Sequence, residues 1–449
     1  MKSKLVVLLL ILSLLFTTVI TGCSSETSKD EGTPAETATE EGGTEEEAAA
    51  DDGETIKIGA ILPLTGSAAA TGVKLQAAME VAQEIINGEY PDLNMPLAKD
   101  AGLPNLGGKK IEIIFADHQG NPEMAKSEAE RLIEEGVVAL VGAYQSSCTK
   151  PASQTAEQYG IPFVCGSSSS AALTERGLEY FVRIAPNDDM ESEMFYEFML
   201  YLNENYDVDI KTVAVAYIDN EFGVHAKEMA EKWYNEVYKD KGFEYLGSVA
   251  YATDVTNVDT EVQQIKDMNP DAIFHASYIA DITMFVNKYR DAGVTPKCVL
   301  NYCGGFQDTQ FVVNLGKDSD YFAGGAAFTA AHLDTMPELK FINDLYREKT
   351  NSHFDGPALE EFASIMVVAD AINQAGSLDS DAIMEVIRNT EFDAPYFASG
   401  AIRFNESGQN EISASYIVQI QDQEYQAVWP EDIATSTPWV PFPDWSERK

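Results

Sequence analysis

From Thr55 onward the chain alternates short β-branched runs with longer amphipathic ones, and this alternation limits it to few architectures. Ile56 to Leu62 (IKIGAIL) reads as a strand. Val73 to Asn87 reads as a helix, because Leu75, Met79, Ala82 and Ile86 recur at spacings of four, three and four. Ile111 to Ala116 is a strand, and Asn121-Pro122 opens a helix that Gly136 closes. Val137 to Val141 and Ile161 to Val164 are short buried strands. The pattern then returns: strands at Val213 to Tyr217, Leu246 to Tyr251 and Ala272 to Ala276, with helices over Glu221 to Tyr238 and Val258 to Met268. Strand, helix, strand in succession predicts parallel sheets with right-handed crossovers. Further helices are expected over Pro337 to Lys349, Ala358 to Ala375 and Ser380 to Arg388. Gly400 to Phe404, Tyr416 to Ile420 and Gln426 to Trp429 then predict a hairpin-rich sheet edge. The expectation is an α/β protein of two lobes, with the chain crossing between them more than once.

The N-terminus is a targeting segment. Lys2 and Lys4 precede an apolar run from Leu5 to Phe16, and Val19-Ile20-Thr21-Gly22 leads into Cys23. Small residues before a cysteine resemble the lipobox of bacterial lipoproteins, which predicts a signal peptide over 1–22 and lipidation of Cys23. Several acyl chains hold a protein on a membrane where one does not. The segment 23–54 carries twelve acidic residues against Lys29 alone and offers no apolar face, so it reads as an extended acidic tether.

The formal charge is −43 over 449 residues; the +2 of the leader and the −11 of the tether leave −34 on the rest. Such a surface repels nucleic acid. No other apolar run approaches the ~20 residues that span a bilayer. Cys148, Cys165, Cys298 and Cys303 form no CxxC pair, so zinc and thioredoxin-type chemistry are not expected. An oxidising compartment permits Cys148 to pair with Cys165 and Cys298 with Cys303; buried free thiols fit the spacing equally well.

Polar residues gather at strand ends. PLTGSAAATG follows IKIGAIL, AYQSSCTK follows VVALVG, and CGSSSSAALT follows IPFV. In open parallel sheets, ligands bind beyond the carboxyl ends of the strands. Hydroxyls and unpaired N–H groups at three such junctions suit a carboxylate. One junction alone would be ordinary helix capping; three favour a site holding Gln145, Ser146, Ser147, Ser167, Ser168 and Ser169. The opposite wall is expected from IDNEFG and HASYIAD, with Phe222, Tyr278 and Tyr302 closing over a small ligand. There is no GxSxG, Walker A, GxGxxG or HExxH motif, and the five histidines are scattered, so an enzyme is not expected. Serine without a nearby base is a poor nucleophile. His275 reads as a structural histidine or a cleft residue. The pairs Asp188-Asp189 and Glu360-Glu361 read as solvated helix starts or faces.

VGAYQSSCTKPAS, IPFVCGSSSSAALTERG and IDNEFG, together with the lipobox, the LTG loop and the closing VWPEDIATSTPW, resemble the branched-chain amino-acid-binding proteins of ABC importers. The resemblance runs from about Thr55 to the C-terminus. It implies the type I periplasmic binding fold: two Rossmann-like lobes, a hinge of three crossings and a cleft between them. On this reading 55–186 plus 328–398 form lobe 1, and 187–327 plus 399–449 form lobe 2. The resemblance implies a monomeric extracytoplasmic receptor, without cofactor or metal, that closes on a small-molecule solute and delivers it to a permease with its ATPase subunits. Carried over by position, Ser146 holds a ligand carboxylate, Ser167 contacts the ligand through its backbone, and Ser169 contacts both ammonium and carboxylate. Phe222 and Tyr278 match second-lobe aromatics. One feature departs from the pattern: the family's second-lobe glutamate, which pairs with the α-ammonium, falls in LNYCGG (Leu300 to Gly305), which has no acid. Asp281 or Asp219 would have to replace it, or the ligand is a carboxylate or amide without an α-amine. A ligand sensor of a signalling complex is the remaining alternative.

Overall fold

A computed structural model describes residues 55–413 and 415–448; the segments expected to form a signal peptide and an acidic tether, and the expected lipidation site Cys23, lie outside the described residues. The chain enters through β1 (Ile56–Leu62), α1 (Ala69–Asn87), β2 (Ile111–Asp117), α2 (Pro122–Glu134), β3 (Ala139–Gly142), α3 (Ser146–Tyr159), β4 (Phe163–Cys165) and β5 (Phe181–Arg183). These strands form one parallel sheet in the order β2-β1-β3-β4-β5. Both faces of the sheet are covered, which is why the strands are nearly continuous apolar runs. Along β1 the side chains alternate: Ile58, Ala60 and Leu62 enter the larger core, and Ile61 the smaller one that includes Leu132, Ala152 and Phe163. Asn121 caps α2 by accepting from the N–H groups of Glu123 and Met124, with Pro122 at its first position, as the sequence predicted.

The second part runs α4 (Asp188–Tyr206), β6 (Thr212–Ile218), α5 (Glu221–Trp233), β7 (Glu244–Tyr251), α6 (Asp259–Met268), β8 (Ala272–Ala276), α7 (Ile279–Ala292), β9 (Cys298–Asn301), α8 (Gln310–Leu315) and β10 (Ala323–Ala326). The chain then returns to the first sheet with α9 (Pro337–Thr350), α10 (Gly356–Ala375), α11 (Ser380–Asn389) and the two-residue pair β11 (Phe392–Asp393) and β12 (Ala401–Ile402). It ends with β13 (Tyr416–Gln421) and β14 (Glu424–Trp429), the expected antiparallel hairpin, on the edge of the second sheet. That sheet has the order β14-β13-β10-β9-β8-β6-β7, parallel from β7 to β10. The chain therefore passes between the two sheets three times, after β5, after β10 and before β13. Ile402 and Phe404 lie beyond residue 398, the sequence-based boundary of the first lobe, and pack in the first core.

The helix expected over Glu221 to Tyr238 changes at Trp233 into a π-helical turn over Tyr234–Tyr238. Ala358 to Ala375 is helical as expected, but α10 is buried almost throughout. The four cysteines from Cys148 to Cys303 are all free and buried. Among the described residues, no helix is long and apolar enough to cross a membrane.

Candidate functional site

Strand order locates the site before any side chain is considered. In the first sheet the chain starts at β1, places β2 on one side and β3 on the other, so the direction of winding reverses between β1 and β3. In the second sheet the same reversal falls between β6 and β8. Crevices open at the carboxyl ends of strands flanking such reversals. The loops there are Pro63–Ala68 and Ala143–Gln145 in one lobe, and Asp219–Asn220 and Ser277–Tyr278 in the other.

These loops meet. Tyr144, after β3, has its ring centroid 5.7 Å from that of Tyr278, and Tyr278 lies 5.5 Å from Phe222 on the first turn of α5. Tyr144 is 5% exposed and holds a left-handed backbone (φ 66°), uncommon outside glycine and typical of functional loops. The amide N–H of Asp188 donates to the Ser169 carbonyl (3.0 Å), which ties the start of α4 to the serine loop. Lys150 on α3 reaches Glu221 on α5 at 2.9 Å. Thr71 and Lys74 on α1 both donate to Asp308, beyond β9.

The four serines after β4 are buried, and they are not equivalent. Ser167 donates to Glu361 of α10 (2.6 Å). Ser168 shares a hydrogen bond with Thr149 (2.6 Å) and donates to the Tyr144 carbonyl (3.0 Å), which locks the two serine loops together. Ser170 donates its amide N–H to the Ser146 hydroxyl (3.3 Å), while its own hydroxyl has no protein partner. Arg183, fully buried at the end of β5, holds the loop from below: Nη1 donates to the carbonyls of Ser170 (2.5 Å) and Ser168 (3.2 Å), and Nε and Nη2 to Gln409 Oε1 at 2.8 and 2.6 Å. Gln409 lies in the third crossing, so the serine loop and the chain crossings brace one another. Ser146 begins α3, Ser147 beside it is half-buried, and Gln145 precedes them with Oε1 buried and unpartnered.

Two expected ligand groups are engaged elsewhere. The Tyr302 hydroxyl pairs with Ser192 (2.7 Å) and donates to the Ala226 carbonyl (3.1 Å), inside the second core. Asp281 accepts from the Tyr251 hydroxyl (2.5 Å) and the Tyr278 N–H (3.1 Å), capping α7; burial raises its carboxyl to about 6. Asp219 is exposed. His275 is buried against Phe285 in the second core, its Nδ1 3.0 Å from the Ser277 hydroxyl; desolvation lowers its pKa to about 3.

One expectation is reversed. Asp188, Glu360 and Glu361 were expected to be solvated and are buried, whereas Asp189 remains partly exposed and binds Lys232. The reason is that α4 starts against the serine loop and α10 runs beneath it, so the acids at their starts point into protein. Glu191, one turn along α4, is also buried, and its Oε2 accepts from the Cys303 N–H (3.1 Å). Desolvation raises Asp188 to about 7, Glu191 to about 8 and Glu361 to about 7, with Ser169 and Arg183 opposing it at Asp188 and Ser167 opposing it at Glu361. Tyr144, Asp188 and Glu191 also stand at this junction, where the sequence reading did not place them. The aromatic inside AYQSS and the acids directly after the IAPN crossing were the available signals. A surface hollow of about 630 Å³, lined by Met95, Lys99, Asp370 and Asp393, includes none of the residues at this junction.

A family model described as periplasmic binding protein matches residues 55–424. The chain belongs to the periplasmic binding protein family. Among curated relatives of this periplasmic binding protein, Leu/Ile/Val-binding protein homolog 7 of Brucella abortus is 24% identical over 389 residues, covering 85% of this chain and 93% of the relative. The leucine binding protein LivK of Thermotoga maritima superposes with a TM-score of 0.70 at 22% identity, over 84% of this chain and 99% of the other. A solute binding protein of an ABC transporter from Rhodopseudomonas palustris, in complex with 3,4-dihydroxy benzoic acid, gives 0.69 at 21% identity, over 88% and 99%.

Proposed function

We propose that this chain is the solute receptor of an ABC importer, held outside the cytoplasm by lipid on Cys23, which closes its two lobes on a small polar solute and presents it to a permease. The observation that carries the reading is the meeting of both winding reversals at one junction, where Tyr144, bonded through its carbonyl to the serine loop of one lobe, packs on Tyr278 and Phe222 of the other. Ser146, Ser147 and Ser169 would hold a carboxylate, helped by the unpaired N–H groups at the start of α3. Ser167, Ser168 and Gln145 would shape the loop around it. Phe222 and Tyr278 would cover the rest of the solute, with Tyr302 and Asp281 supporting them from behind. The three crossings form the hinge, and the Lys150–Glu221 and Lys74–Asp308 pairs would hold the closed form. The leucine- and Leu/Ile/Val-binding names of the relatives favour an amino acid. Such a receptor needs no catalytic group. A second reading, a carboxylate without an amine, is favoured by the acid-free LNYCGG segment and by the aromatic acid in the Rhodopseudomonas protein.

The test is thermal unfolding of the full chain against leucine, isoleucine, valine, other amino acids, their deaminated acids and their amides. A ligand at 100 times its Kd stabilises the folded state by about 2.7 kcal/mol, enough to move a midpoint by several degrees. A rise with one chemical class identifies the solute class; no rise with any member would remove the reading.

A further inference from the structure

We propose that Asp188 and Glu191, on the first turns of α4, form the pole of the cleft that receives a cationic nitrogen group of the solute. The inference rests on the receptor reading above and assigns a position that the β9 loop leaves without a charge.

Three observations support it independently of one another. First, both carboxylate oxygens of Asp188 and Oε1 of Glu191 are buried and accept no hydrogen bond of good geometry, the nearby Ser169 hydroxyl and Cys303 thiol being the protein groups that come near them. Buried carboxylates are ordinarily paired, and an unpaired one is costly. Second, the two carboxylates and the Cys303 sulfur present atoms all within 4.8 Å of one another, so one small group can touch them together. A Cβ at Gly325 would overlap Glu191 Oε1, so that glycine makes room for the carboxylate where it stands. Third, the pole adjoins the proposed carboxylate site, because the Asp188 N–H bonds the Ser169 carbonyl. A solute with a carboxylate and an ammonium on one carbon would span serine loop and α4 without extension.

The local charge balance has the right sign. The groups facing the pair are Arg183 from β5, Asp189 on α4 itself, Glu221 from α5, Tyr278 at the start of α7, Tyr302 and Cys303 beyond β9, and Glu360 from α10. Arg183 is the only fully buried cation among these, and its hydrogen bonds all go to carbonyl, amide and hydroxyl oxygens. Acids therefore outnumber bases around the pole. Burial keeps both carboxyls partly protonated near neutral pH, so a cation that arrives must displace protons.

The experiment is isothermal calorimetry on the full chain at pH 7, in phosphate and in Tris. The probes are leucine, isoleucine and valine, their deaminated acids and amides, and Zn²⁺ and Mn²⁺ alone. It compares the natural protein with Asp188→Asn and Glu191→Gln. These amides match the acids in shape and remove only charge, and circular dichroism checks that they fold. The expected result is that an amino acid binds, that binding releases protons (the heat then differs between buffers), and that each variant weakens it by about 10- to 100-fold. The release should shrink in each variant, which a merely structural role would not produce. Should either variant fail to fold, proton release by the natural protein remains the deciding measurement. Equal affinity in all three proteins, or no proton release, would overturn the pole. Binding of deaminated acids or amides alone would overturn the pole and leave the receptor reading standing. Binding of a metal ion that both variants abolish, without amino-acid binding, would replace the ammonium with a cation of another kind and so overturn the proposal. Silence from every probe would remove receptor reading and pole together.

Discussion

Ser168 and Ser169 are adjacent in the chain and sit in different hydrogen-bond environments. Ser168 joins the two serine loops through Thr149 and the Tyr144 carbonyl. Ser169 bonds the start of α4 through its carbonyl, and its hydroxyl lies close enough to Asp188 to pull that carboxyl down. Replacing Ser168 by alanine should therefore lower stability by about 1–3 kcal/mol, because the Tyr144 carbonyl and the Thr149 hydroxyl lose a buried partner. Replacing Ser146 and Ser169 together should leave the protein folded, though the buried Ser170 N–H loses its acceptor, and weaken solute binding by two orders of magnitude or so, each hydroxyl acting on a charged group. Denaturant unfolding reads the first and calorimetry the second. A Ser168→Ala protein of unchanged stability would mean the serine loops are not coupled as described. Unchanged affinity in the double variant would remove the site assignment. At this scale the sequence placed the hydroxyls at the strand ends, because serine recurs at three junctions where one would be ordinary helix capping. It was uninformative about acids: DDMESE looks like a solvated helix start, and nothing local reports that the serine loop covers it.

Helices and strands were legible where one face is apolar. The three-and-four spacing exposed α1, and the capping asparagine and proline exposed α2. The closing hairpin was legible from its alternating run. Elements buried on all sides carry no such signature. In α10 sixteen of twenty residues are buried, so period 3.6 is invisible in its apolar content, and its acids could not be assigned to a face. β5, β9 and β10 have only three or four residues each and offer no periodicity to read. Packing at the junction of β6 and α5 gives a prediction at this scale. Gly223 passes so close to Ile218 that a Cβ would overlap the Ile218 carbonyl, which lets α5 start directly above the strand and sets Phe222 beside Tyr278. Gly223→Ala should push the first turn of α5 outward, with a loss of about 1–3 kcal/mol in stability. It should also weaken solute binding while leaving the serine loops untouched. Unfolding and calorimetry on one preparation check both; a stable variant with full affinity would show that Phe222 has no fixed place in the cleft.

For the molecule as a whole, buried acids and buried histidines make opposite demands on pH. Asp188, Glu191 and Glu361 rise to about 7, 8 and 7 from ordinary values of 3.8, 4.5 and 4.5, so the folded state holds protons that the unfolded chain has lost. Their contribution is complete below about pH 4 and is lost as pH rises through 7 and 8. His118 and His275 are lowered to about 4 and 3 from 6.5, so the unfolded chain takes up protons first and their contribution is lost as pH falls below 6.5. Between about pH 4.5 and 6.5 the two limbs oppose one another, three carboxyls against two histidines, so the carboxyl limb already prevails and stability falls slowly as pH rises. Between pH 6.5 and 8.5 only the carboxyl limb acts, and stability should fall by about 2–4 kcal/mol. Unfolding midpoints by circular dichroism across that range measure it, and a level profile would mean that those carboxyls are wetter than their burial indicates. The limb also connects stability to binding. A cation held by α4 would keep Asp188 and Glu191 ionised in the folded state, so saturating amino acid should flatten the fall, and Asp188→Asn with Glu191→Gln should flatten it without any solute. A solute lacking the amine should raise the midpoint equally at each pH and leave the slope alone, which separates a bound carboxylate from a bound ammonium by one set of melting curves.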